Sequence, residues 1–311
     1  MFGITAIKVA LMMAYGVPGF LMLKGGILKE SAISVFAKLL LYVCQPALTV
    51  YSLNAVDCTG RLALNMAVAF TATLAVQIVL IFAYSLIFKK KMTDSAHRIA
   101  SVASACGNVG FLGIPLLERL LPEYPEAVAI SCALSISMNL LAWTIGLRMI
   151  TGDKKFISLK SVVLNPATLS FLAILPLFLL GIKLPELVAE PIELLGRMST
   201  PVCMTVLGMR LATKKFSAVF GNIRIYPAVV AKLMVFPVLI ATVFALIMPD
   251  RNVSAAVFIL SCCPSAAMVQ SLAEAHGGDS ASAADIVLAT NILCILTVPL
   301  MWTAFCAIPF L

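Results

Sequence analysis

Long apolar runs alternate with short polar breaks along the whole chain. The runs lack the two-residue alternation of a half-buried strand and far exceed the length of a barrel strand. Ten windows stand out: 4–22, 33–53, 63–88, 96–119, 126–149, 162–181, 194–212, 225–247, 253–275 and 284–310. Each suits a helix crossing a bilayer, which takes about 20 apolar residues. The pattern therefore predicts an all-α integral membrane protein with ten transmembrane helices. The first run has no basic segment before it and no small-residue cleavage site after it. It reads as the first helix rather than a signal peptide.

Composition strengthens this picture. Of 311 residues, 62% are hydrophobic and 12% charged, and the mean hydropathy is +1.07. So few polar groups cannot cover a soluble domain, and the apolar content excludes disorder. The net charge of +8 is explained by where the basic residues fall. Lys24, Lys29, Lys38, Lys89, Lys90, Lys91, Arg98, Arg148, Lys154, Lys155, Lys160, Arg210, Lys214, Lys215 and Arg224 lie on one side of the ten-span reading. Arg61, Arg119, Lys183, Arg197 and Arg251 lie on the other. The richer side is expected to be cytoplasmic, which puts both termini outside the cell membrane and makes nucleic acid an unneeded partner. Nine cysteines, all but Cys58 inside apolar runs and none in a CxxC pair, read as small buried hydrophobes. The two histidines, His97 and His276, fall in expected cytoplasmic turns without metal-ligand spacing, so neither metal nor cofactor is expected.

Five spans fall in residues 1–150 and five in 162–311, joined by a basic linker at 151–161. An odd number per half makes the second half enter the membrane from the opposite face, the inverted repeat of secondary transporters. Two spans carry more than a kink. In the fourth, Gly107-Asn108-Val109-Gly110-Phe111-Leu112-Gly113-Ile114-Pro115 places three glycines, an asparagine and a proline at mid-depth. In the ninth, Ser261-Cys262-Cys263-Pro264-Ser265 does the same with a proline among small residues. Broken helices at matching positions point to a binding site, because unwinding frees backbone donors and aims half-helix termini at the gap. Close packing through small residues is the competing reading.

The stretch GNVGFLGIPL (107–116) resembles the fourth-helix motif of the auxin efflux carrier family. So do Asn165-Pro166, Leu184-Pro185, Leu195-Gly196, Pro201 and Leu207-Gly208. The run 271–299 is similar to the family's last two helices. The resemblance implies a scaffold of spans 1, 2, 6 and 7, a mobile core of spans 3–5 and 8–10, a substrate site where helices 4 and 9 cross, and a homodimer. It also implies a substrate such as indole-3-acetate or, as in bacterial members, a dicarboxylate like malate or malonate. The long cytoplasmic loop of many plant members is absent.

All carboxylates fall at span ends or in loops, Glu274 being the deepest, so a proton-antiport aspartate is missing from span 5. What remains is neutral and donor-rich. Asn108 is the first candidate, since its amide can donate to a carboxylate, and the resemblance implies the same role. Gly107, Val109, Pro115, Pro264 and Ser265 form the crossing around it, with Asn139, Asn291 and Gln270 as secondary candidates. Lys232, inside span 8, either snorkels toward the cytoplasm or draws anions to the inner vestibule. The expected function is a carrier exporting a small organic anion by elevator-type motion. The alternative is a sodium-coupled organic-anion symporter with Gln77, Gln270 and Glu274 around the ion. An intramembrane enzyme is disfavoured by the absence of HExxH, GxGD and GxSG motifs.

Overall fold

The computed structural model describes residues 2–152, 162–214, 216–248 and 250–308. Most of the expected linker, with Lys154, Lys155 and Lys160, lies outside the described residues, as does Lys215. Every described element is helical, and the one β-type contact is an isolated antiparallel bridge between Gly107 and Ser265. In chain order the α-helices are α1 (Phe2–Ala14), α2 (Val17–Lys24), α3 (Ser31–Leu39), α4 (Gln45–Asn54), α5 (Gly60–Ile87), α6 (Ser95–Ala105), α7 (Ile114–Leu120), α8 (Ala127–Leu141) and α9 (Leu147–Thr151). They continue with α10 (Pro166–Leu179), α11 (Glu186–Arg197), α12 (Ser199–Thr213), α13 (Phe216–Gly221), α14 (Tyr226–Val230), α15 (Phe236–Ile247), α16 (Arg251–Ser261), α17 (Ala267–Ala275) and α18 (Ser280–Ala307).

Among the described residues, six helical stretches are long and apolar enough to cross a membrane: Phe2–Lys24, Ser31–Asn54, Gly60–Ile87, Ala127–Thr151, Ile223–Ile247 and Ser280–Ala307. The polar breaks set where helices begin. Thr59, Asp94, Asn165, Asp250 and Asp279 each cap a helix by accepting from a backbone N–H of its first turn. Within the spans, π-helical turns at Leu40–Cys44, Val109–Gly113 and Ala231–Val235 end just ahead of Pro46, Pro115 and Pro237. Each proline ring excludes the carbonyl four residues back and lacks an N–H, and one wider turn absorbs the mismatch.

The outside is apolar, with Ile4, Leu21, Leu86, Val238 and Leu296 exposed, while Gln77, Asn108, Asn139, Lys232 and Asn291 are buried. This is the distribution of a chain whose solvent is lipid: polar side chains must find partners inside. Helices α2 and α12 cross in backbone contact, since a Cβ on Gly208 would overlap the Gly16 carbonyl and one on Gly19 the Thr205 carbonyl.

Three features depart from the sequence-based expectation. Residues 186–193, read as an outer loop, are part of α11, an amphipathic helix packed on α4. Its acidic residues broke the apolar window without breaking the helix. His97, expected in a cytoplasmic turn, is instead buried in the first turn of α6, its ring 5.4 Å from that of Phe88. Lys232 is completely buried and points into the protein instead of snorkelling.

Candidate functional site

Two helices stop in the middle of the molecule. α6 ends at Ala105 and α16 at Ser261, and the segments following them meet side by side. Asn108 N–H donates to the Pro264 carbonyl at 2.8 Å, and Ala266 N–H donates to the Cys106 carbonyl at 3.1 Å. The carbonyls left over at the end of α6 are taken by side chains: Ser265 Oγ donates to Ala103 and Gln77 Nε2 to Ala105. Buried backbone acceptors are costly unless paired, and these bonds explain how a broken helix survives inside an apolar protein.

Lys232 completes the junction. Its Nζ donates to the Ser261 carbonyl at 2.8 Å and lies 4.4 Å from the Phe236 ring centroid. A Cβ on Gly107 would come within 3.2 Å of the same Nζ. The ammonium thus sits at the carbonyl ends of both broken helices, where their dipoles favour positive charge. Gly107 is small because this cation lies against it.

On the other side of the junction lies a cavity of about 720 Å³. Asn108, Val109, Gln270, Glu274 and Asn291 of the sequence candidates line it, with Phe111, Trp143, Cys203 and Arg210. Glu30, Lys38 and Lys214 line it too, so it runs out toward the end of the molecule that carries the first basic set. Asn108 Nδ2 contacts only the Cys203 sulfur, at 3.8 Å, a weak acceptor that leaves the amide able to turn to a better one. Asn291 Nδ2 donates to its own helix at Val287, while its Oδ1 is buried without a partner.

The remaining candidates are elsewhere. Gly107, Pro264 and Ser265 build the junction behind the cavity, and Pro115 follows the π-helical turn. Both polar groups of Ser265 are engaged, its N–H with Thr290 Oγ1 and its hydroxyl with Ala103. Asn139 is buried at the α8 contact away from the cavity. Gln77 accepts from Ser137 Oγ at 2.8 Å and does not join Gln270, whose Nε2 donates to Glu274. Arg210 was read only as a marker of orientation. Its place inside the apolar window 194–212, four residues before Lys214, was the available signal that it faces inward.

A lipid-facing helical shell around an internal cavity that carries a few polar and charged groups and ends at two abutting helix breaks defines a multi-pass membrane transport protein. The chain belongs to the membrane transport protein family, whose model matches residues 3–157 and 154–302, in keeping with the auxin efflux carrier resemblance of its fourth-helix motif. It is 28% identical over 231 residues to an uncharacterised transporter of Methanocaldococcus jannaschii, covering 71% of this chain and 72% of that protein.

Proposed function

We propose that this transporter is a secondary carrier that exports small organic anions through the cell membrane. Its ten spans form two inverted five-helix halves, with a core of spans 3–5 and 8–10 moving against a scaffold of spans 1, 2, 6 and 7. The observation that carries the reading is the junction of the two broken helices, with Asn108 at the end of the cavity. There a carboxylate meets the Asn108 amide and the N-terminal end of α17, both of which favour negative charge. Sidedness is supported by the ion pairs. Arg210–Glu274, Lys214–Asp285 and Arg224–Asp94 join residues of the cytoplasmic assignment; Arg61–Asp250, Lys183–Asp57 and Arg197–Glu193 join residues of the outer one.

The sodium-coupled alternative is weaker on two counts. Gln77 and Gln270 serve different partners, and the Lys232 amine already occupies the junction, donating to the Ser261 carbonyl. A uniporter needs no coupled ion, because one charge crossing 100 mV is worth about 2.3 kcal/mol, roughly a 50-fold gradient. Transport of labelled indole-3-acetate or malate into and out of proteoliposomes is the test. Saturable counterflow and sodium-independent currents on a solid-supported membrane are expected. A strict sodium requirement would overturn the uniport mechanism.

A further inference from the structure

Arg210 is the only arginine among the described residues that line the cavity. It is 8% exposed, and its Nε is buried without an acceptor. Among the described residues its side chain has one partner, Glu274, through a single bond from Nη1 to Oε1 at 3.0 Å. The same oxygen also accepts from Gln270 Nε2 at 2.8 Å. A guanidinium binds a carboxylate best as a fork, two parallel N–H groups to two oxygens. Here one oxygen serves two donors, and the Nε edge of the fork is unfilled.

The pair is also lopsided. The Arg210 side chain is 10% exposed and the Glu274 side chain 45%. Glu274 can turn into the open mouth of the cavity and be solvated there, whereas Arg210 cannot follow it. A buried guanidinium left alone is costly, so whichever carboxylate is at hand will be held. Arg210 also shares a helix with Cys203, the residue that Asn108 touches. Seven residues separate them, two helical turns or about 10 Å, and Cβ atoms lean toward a helix's N-terminus. Arg210 therefore leans toward the level of Asn108 from the open end of the cavity.

We propose that Arg210 is a second anion-recognition residue of this cavity and that Glu274 is an internal carboxylate which an acidic group of the substrate displaces. The pair then sets the preference for substrates with an acidic group at each end over substrates with one. Displacement also releases Gln270, whose Oε1 is already buried without a partner. The proposal rests on the reading of Asn108 as the contact for the first carboxylate.

The test compares succinate with its monoamide, succinamate, by calorimetry on the detergent-purified protein. The wild type should bind succinate more tightly. Arg210→Gln should weaken succinate by roughly 10- to 150-fold, the worth of a charge-assisted hydrogen bond, and leave succinamate unchanged. Glu274→Gln removes the competitor and should tighten succinate alone. Because that variant strands a buried charge, the paired variant Arg210→Gln/Glu274→Gln is made as well; it retains a neutral hydrogen-bonding pair and should lose succinate as Arg210→Gln does. Equal losses for both ligands, or unchanged succinate binding in the folded paired variant, would overturn the proposal. Asn108→Ala separates the two readings, since it should weaken both ligands. If it weakens neither while Arg210→Gln still discriminates, the Asn108 contact fails and the Arg210 assignment stands.

Discussion

Asn108 holds its place through its backbone and spends little of its side chain. Its N–H is bonded to Pro264 and its carbonyl accepts from Gly113 N–H, while the amide contacts only sulfur. Asn108→Ala should therefore keep the junction intact and cost substrate affinity instead. A charge-assisted hydrogen bond is worth about 1.5–3 kcal/mol, a loss of roughly 10- to 150-fold. Binding measured beside a thermal melt checks this: weaker binding with an unchanged melt is the expected outcome. Asn108 could be found from the sequence because a lone amide among glycines in an apolar run has few other uses. Lys232 and Arg210 could not be placed in the same way. A long cationic side chain in a span can reach either outward to water or inward to a carbonyl, and the choice depends on neighbours far along the chain. For Lys232 the deciding neighbour is the Ser261 carbonyl, 29 residues away.

At the scale of elements, apolar length predicted the six long helical stretches to within a few residues, because lipid thickness fixes that length. The breaks at 106–108 and 262–266 were signalled by Gly, Asn and Pro, residues that cannot prolong a helix without cost. Helix α11 was missed because an apolar-window reading is blind to a helix with one acidic face. Helices α2 and α12 are in contact through glycines, and that contact should be stiff. Gly208→Val would force side-chain atoms into the Gly16 backbone, which a flexible neighbour cannot relieve. Overpacking of this kind costs about 1–3 kcal/mol. The expected result is a lower melting temperature in detergent, with substrate affinity retained in the fraction that stays folded.

Across the whole molecule, the described ion pairs lie in two groups, each linking residues that the ten-span reading puts on one side. Membrane-impermeant labelling of single cysteines tests the sidedness. A probe in the 89–94 turn should be reached only from the cytoplasm, and one beside Lys183 only from outside. The opposite pattern would overturn the cytoplasmic assignment of the first basic set. The proposed ten spans and their inversion rest on a parity argument from the sequence. Which helices pack together was not legible there, because apolar faces alone do not say which helix each will meet.

The burial of Lys232 has a further consequence on the proposed elevator path. Its amine belongs to the moving part, so with Lys232 protonated the core carries a positive charge through the field at every stroke. With a monoanion aboard, that charge is cancelled and the loaded stroke is blind to voltage. The unloaded core returns inward still positive, drawn by the negative interior. The membrane potential would then act on the return of the carrier, not on the departure of its cargo.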